Sequence, residues 1–260
     1  MIVEYPKNEQ NKLLPLFSNH KYLSILIKTV LKEKEGEIFV DDIENPNVAL
    51  MSYKVFEIIG GDSKHEMAIE ILRNITENRM ILFPDEDWYV FAKDKIVLSP
   101  YPRTKFSSEK LSIEKANELL QRELPKECKL QKVDKIIVTK INPKLAPAFL
   151  PFYKSADDFV ERGLAYCITE SDFILSIAGS AMPIHDNEYE LQAITDPNPK
   201  YRRKGFATAA AAALIKESLE KGIIPHWDAD NEISARFALK LGFTKPIAYD
   251  AYLCSKNPLK

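Results

Sequence analysis

Pro199-Lys200-Tyr201-Arg202-Arg203-Lys204-Gly205-Phe206-Ala207-Thr208 is a short basic run with one glycine, leading straight into the alanine-rich segment Ala207 to Lys221. The segment before it, Glu188 to Thr195, reads as a strand. A basic loop between a strand and a helix suits an anion. The first helical turn leaves backbone N–H groups without partners, the peptide dipoles make that end positive, and Gly205 has no Cβ to obstruct approach. Backbone N–H groups of Arg203, Lys204, Gly205, Ala207 and Thr208 can converge on such a ligand, with Arg202 or Lys204 adding charge. The competing reading is a solvated basic turn, and the alanines are also the best helix formers.

Working outward, the second half of the chain has the clearer pattern. Ile136 to Thr139 reads as a first strand, followed by the proline-broken stretch Asn142 to Pro151. Ser155 caps a short helix that Gly163 stops. Leu164 to Thr169 and Phe173 to Met182 are strands joined by a hairpin turn at Glu170-Ser171-Asp172. After the basic loop comes a helix closed by Gly222, then a strand at Ile223 to Trp227. A helix over Ser234 to Leu241 follows, stopped by Gly242, and strand material runs from Phe243 to Leu253.

The first half reads as a helix over Asn11 to Leu31 and short strands at Glu37 to Val40, Val48 to Tyr53 and Val55 to Ile59. A Gly60-Gly61-Asp62 turn leads to a helix that Ser63 can cap. Strands at Met80 to Phe83 and Trp88 to Ala92 precede a helix from Ser112 to Glu123 that ends before Pro125. Pro125 to Lys129 is the best linker, which divides the chain into an N-terminal α/β domain, 1–128, and a second domain, 129–260.

Composition bounds the function. The chain has 260 residues, enough for two cores, and no apolar run approaches the ~20 residues of a membrane span. No charged-then-apolar leader opens the chain, so a cytoplasmic protein without membrane contact is expected. Cys128, Cys167 and Cys254 are odd in number and far apart, which suggests buried thiols rather than disulfides or a metal site. A formal charge of −2 argues against a general nucleic-acid binder.

Arg202-x-x-Gly205-x-Ala207 fits the Arg/Gln-x-x-Gly-x-Gly/Ala pattern of the GNAT acetyltransferase superfamily. Asn231 to Phe243, with its Lys240-Leu241-Gly242-Phe243 end, resembles the segment that closes most GNAT domains. Pro225-His226-Trp227-Asp228, Phe39 to Pro46 and the Gly60-Gly61 turn are similar to the branch that includes zwittermicin A resistance acetyltransferases. The order of elements over Val133 to Leu253 is the GNAT layout as well. The resemblance implies an α/β (α+β) chain whose C-terminal GNAT domain has a mixed central sheet flanked by helices. The N-terminal half is open to reading as a degenerate GNAT-like copy, since it lacks the basic glycine loop.

The resemblance also implies acetyl-CoA as co-substrate, its pyrophosphate on the loop. Backbone groups around Ile194 and the side chain of Asn231 then hold the pantetheine arm where two strands splay; Asn231 reads equally well as a helix cap. Acetyl transfer to an amine needs a base, a polarised thioester carbonyl and a proton for the departing thiolate. Glu190 sits where many GNAT enzymes keep a carboxylate that removes a proton through water, and an exposed strand residue is the plain alternative. His226 and Asp228 share a strand face, so His226 is a second candidate base, although a structural histidine fits too. Trp227 reads as core. The tyrosine that protonates CoA in many GNAT enzymes is replaced by Ala238, leaving Tyr249, Tyr252 or water. The expected activity is N-acetylation of a small-molecule amine by direct attack, in a monomer or homodimer. The alternative is an acetyl-CoA-binding sensor or scaffold with impaired catalysis, for which Ala238 is the best support.

Overall fold

The computed structural model describes residues 1–259, in which the chain leaves one folding unit for another and then returns. The first unit comprises Met1–Arg103 and the segment from Ala248 onward; the second is Thr104–Ile247.

In the first unit, β1 (Val3–Glu4), β2 (Glu37–Val40), β3 (Val48–Tyr53) and β4 (Phe56–Gly61) form an antiparallel meander. Helix α1 (Ser24–Glu33) precedes β2, and α2 (Ala68–Arg73) links β4 to a parallel neighbour, β5 (Met80–Leu82). Helix α3 (Glu86–Lys93) follows. The last strand of the chain, β12 (Thr244–Lys256), lies antiparallel to β5 through Tyr252 and Leu253. Ile59, Ile71, Leu72, Ile81, Trp88 and Cys254 share its core.

Two expectations for this half are corrected. Trp88 to Ala92 lies within α3 and is not a strand. Asp85 caps that helix by accepting a hydrogen bond from the Trp88 N–H at 3.0 Å, and Trp88 and Ala92, four residues apart, bury on one helical face. The helix expected over Asn11 to Leu31 is broken into a tight 3-10 run, Lys7–Phe17, and α1, with Pro15 unable to donate a backbone bond inside the first piece.

The second unit repeats the plan. Its meander is β7 (Cys128–Lys132), β8 (Ala165–Glu170), β9 (Phe173–Ser180) and β10 (Glu188–Thr195), with α5 (Ala156–Arg162) before β8. The hairpin between β8 and β9 turns at Ser171, which takes a left-handed φ of 53°. Helix α6 (Phe206–Glu220) then leads to β11 (Ile224–Ala229), parallel to β10, and to α7 (Glu232–Leu241). The antiparallel partner of β11 is β6 (Val97–Ser107), which comes from the other half of the sequence and is followed by α4 (Ile113–Leu120). Each unit is thus meander, helix, parallel strand, helix and a final antiparallel strand drawn from elsewhere in the chain.

The mixed sheet flanked by helices is therefore present, but the units do not divide at 128/129. Phe106, Ala116 and Cys128 bury in the same core as the α6 alanines and Trp227, so the chain joins the second unit at Thr104 and stays in it to Ile247. The stretch expected to be a linker begins β7, while the strand expected at Ile136 to Thr139 is a tight turn, Val138–Lys140, held by the Asp134 carboxylate accepting from Ile136 and Ile137 N–H groups.

Candidate active site

The site lies where β10 and β11 part. They pair only at Glu188↔Ile224, Tyr189↔Pro225 and Glu190↔His226; beyond that β10 stays with β9, and β11 turns to β6 through Trp227↔Phe106 and Asp228↔Lys105. One face of these strands is core: Tyr189, Leu191, Trp227 and Phe106 bury against α6. The period of two puts Glu188, Glu190, His226, Asp228 and Lys105 on the other.

That second face is an ionisable cluster. Lys105 Nζ is ion-paired with Glu190 Oε1, the two side chains being only 14% and 17% exposed. His226 Nε2 stands 3.8 Å from Glu188 Oε1. Lys105 and Glu188 were not singled out from the sequence. Lys105 sits in a segment whose Pro100 and Pro102 mask strand character, and only the alternation Thr104, Lys105, Phe106 hints at it.

At the wide end of the gap, Asp196 is buried and organises the loop, accepting from the Asn198 N–H at 2.9 Å and from Asn142 Nδ2 at 3.4 Å. Arg203 takes φ 58° and Gly205 φ 88°, so the chain curls back just before α6 begins. Gly205 is the residue that precedes the helix, and it brings no side-chain oxygen to cap the first turn. The first-turn N–H groups of this fifteen-residue helix therefore have no side-chain cap. Arg202, Arg203 and Lys204 are exposed beside it, and Ala207 is half-buried in the first turn. A Cβ on Gly205 would meet the Arg122 guanidinium at 3.1 Å, so a fourth cation not read from the sequence borders the loop. Thr208 is buried and its hydroxyl accepts from Lys240 Nζ at 3.1 Å. An anionic group fits this cradle of uncapped helix, left-handed glycine and cations.

Ile194 is half-buried on the diverging part of β10, its carbonyl accepting from the Ser176 hydroxyl at 3.0 Å. Asn231 caps α7, accepting from the Ser234 N–H at 2.9 Å and donating to Asp230 Oδ1 at 2.7 Å. Trp227 is core, as expected, in edge-to-face contact with Phe237 at 5.4 Å. Ala238 is fully buried in that core. Tyr249 and Tyr252 stack in the first unit, on Tyr22 and Tyr89. All three cysteines are buried thiols outside any disulfide, and burial pushes the Cys167 thiol up to about 12.

A family model described as GNAT acetyltransferase matches residues 14–252. The chain belongs to that family. It is 24% identical over 265 residues to the uncharacterized N-acetyltransferase YdfB of Bacillus subtilis (strain 168), covering 97% of this chain and 98% of that one. Among solved structures, it is similar to a GCN5-related N-acetyltransferase-like protein from Streptococcus suis 89/1591, with a TM-score of 0.75 and 24% identity over 95% of this chain and 99% of that one. A tandem GNAT protein from the clavulanic acid biosynthesis pathway matches with a TM-score of 0.57 and 9% identity, over 97% of this chain and 96% of that one. As a GNAT protein the chain is an acyltransferase, in a family that uses acetyl-CoA. Among the described residues no helix is long and apolar enough to cross a membrane.

Proposed function

We propose that this GNAT protein moves the acetyl group of acetyl-CoA to the amine of a small polar molecule by direct attack. The observation that carries the reading is the uncapped N-terminus of α6 behind a left-handed Gly205, at the end of a gap between two parallel strands. In this reading Arg203, Lys204, Gly205, Ala207 and Thr208 offer backbone N–H groups to the pyrophosphate, and Arg202 and Arg122 supply charge. Ile194 on β10 and Asn231 at the start of α7 border the pantetheine arm.

Proton removal belongs to the ionisable cluster. Glu190 is the first candidate base; it takes the proton from the attacking amine, directly or through water, as the N–C bond forms and the C–S bond breaks. His226 is the second, favoured by the carboxylate of Glu188 beside it. Burial of the three cysteines supports direct attack over a cysteine intermediate, since the thiolate is the nucleophilic form. The cluster itself supports turnover over a sensor or scaffold role. Similarity of Pro225 to Asp228 to a branch of antibiotic-modifying enzymes supports a small amine over a protein tail.

The reading is tested at Gly205. Valine there forces a β-branched side chain into left-handed backbone and against Arg122. Calorimetric CoA affinity should fall about tenfold or more, about 1.4 kcal/mol. A folded Gly205→Val variant that keeps full CoA affinity would sink the loop assignment.

A further inference from the structure

Among the described residues, the first unit has no counterpart of the basic glycine loop before α6. Its helix α2, at the place α6 holds in the second unit, has only six residues, and the loop before it, Asp62 to Met67, mixes acids with one lysine and one histidine. The corresponding end of its parallel strand pair carries something different: a cleft of about 700 Å³ between the turn before α1, the β5–α3 junction and β12.

The walls of this cleft are aromatic. Tyr22 and Tyr249 stack with ring centres 4.6 Å apart, and Tyr89 and Tyr252 stack at 4.9 Å. Phe83 tilts against Tyr252 at 5.6 Å. These rings are half-buried, while Asp85, Glu86 and Asp250 line the same cleft and are exposed. Lys21 is the one lysine or arginine of the lining, so three carboxylates outnumber it. His20 also lines the cleft; it is buried, with Nε2 2.6 Å from the Ile59 carbonyl, and burial holds its pKa below the ordinary value, so it adds no charge at neutral pH.

Half-buried tyrosine faces under a negative rim attract cations through the ring quadrupole and the carboxylates together, and they disfavour phosphates. We propose that this cleft binds an organic cation, a primary or quaternary ammonium on a small carbon skeleton. The cleft shares no lining residue with the loop at Gly205, and the proposal does not depend on which amine is acetylated.

Choline, phenethylammonium and the neutral choline isostere 3,3-dimethylbutan-1-ol should be titrated into the full chain without acetyl-CoA, followed by calorimetry. Both cations should bind, and the neutral isostere at least about tenfold more weakly, because it keeps the shape and loses the charge. Asp250→Asn, an exposed change that preserves shape, should weaken choline about three- to tenfold, and added salt should weaken it further. Tyr89→Leu should weaken choline as well, with an unchanged melting temperature certifying the fold. The proposal is overturned if neither cation binds by about 10 mM, if the isostere binds as tightly as choline, or if Asp250→Asn leaves choline affinity unchanged.

Discussion

Glu190 and His226 face each other across the last paired rung of β10 and β11, yet each has its own ionic neighbour: Lys105 for Glu190 and Glu188 for His226. The two candidate bases are therefore separable by substitution. Glu190→Gln keeps the shape of the side chain and removes its proton-accepting charge. It should lower kcat by about a hundredfold or more and flatten the rise of rate with pH, while CoA affinity stays nearly intact. Thiol release with a saturating amine reads the rate, and calorimetry reads the affinity. If Glu190→Gln keeps full rate and His226→Gln loses it, proton removal belongs to His226. Loss of CoA affinity in either variant would place the residue in binding rather than turnover.

At the scale of elements, α6 does two jobs with its two ends. The first turn faces the candidate site, and the last is anchored by Glu217. That carboxylate accepts from Lys132 Nζ at 2.6 Å on β7, from the Tyr166 hydroxyl at 2.6 Å on β8, and from Lys221 Nζ at 2.5 Å. Burial alone would raise its pKa, but these donors outweigh burial and hold it down at about 2. A group held below its ordinary 4.5 stabilises the fold fully above that value and loses the contribution as pH falls toward 2. Glu217→Gln should therefore cost about 1–3 kcal/mol near pH 6. Urea unfolding of both proteins at several pH values checks this: the gap should narrow as the pH is lowered from about 5 toward about 2. A gap independent of pH would show that Glu217 acts through packing rather than charge.

For the whole molecule, the exchange of final strands decides which fragments can stand alone. A fragment Thr104–Ile247 retains Phe106, Ala116 and the β6 partner of β11. One beginning at Lys129 loses all three and leaves β11 with a bare edge and a hole beside Trp227. The first should melt cooperatively by circular dichroism and bind one CoA; the second should aggregate or melt without a transition. Cooperative melting of the shorter fragment would show that β6 and α4 are dispensable to that core. The full chain should likewise bind one CoA, since the first unit pairs a short α2 with an acid-containing loop.

What could be read without coordinates was local. A left-handed glycine, an uncapped helix start and neighbouring cations are written in consecutive residues, so the geometry of the loop at Arg202 to Thr208, which we propose holds the pyrophosphate, was legible. The alternating strands and capped helices from Ala165 to Leu241 were legible for the same reason, since each is set by its own periodicity and end signals. Trp88 to Ala92 was misread because a short apolar run satisfies both periods, and only the Asp85 cap and a shared buried face select the helix. Lys105 and Arg122 belong to no motif. Lys105 reaches Glu190 across 85 positions of sequence, and Arg122 meets Gly205 only once α4 has packed on α6. Which strand ends which unit was equally hidden. A strand's own residues specify its two faces, but its neighbour is chosen by the sheet edge that stands open when the chain arrives, and that is a property of the folded molecule.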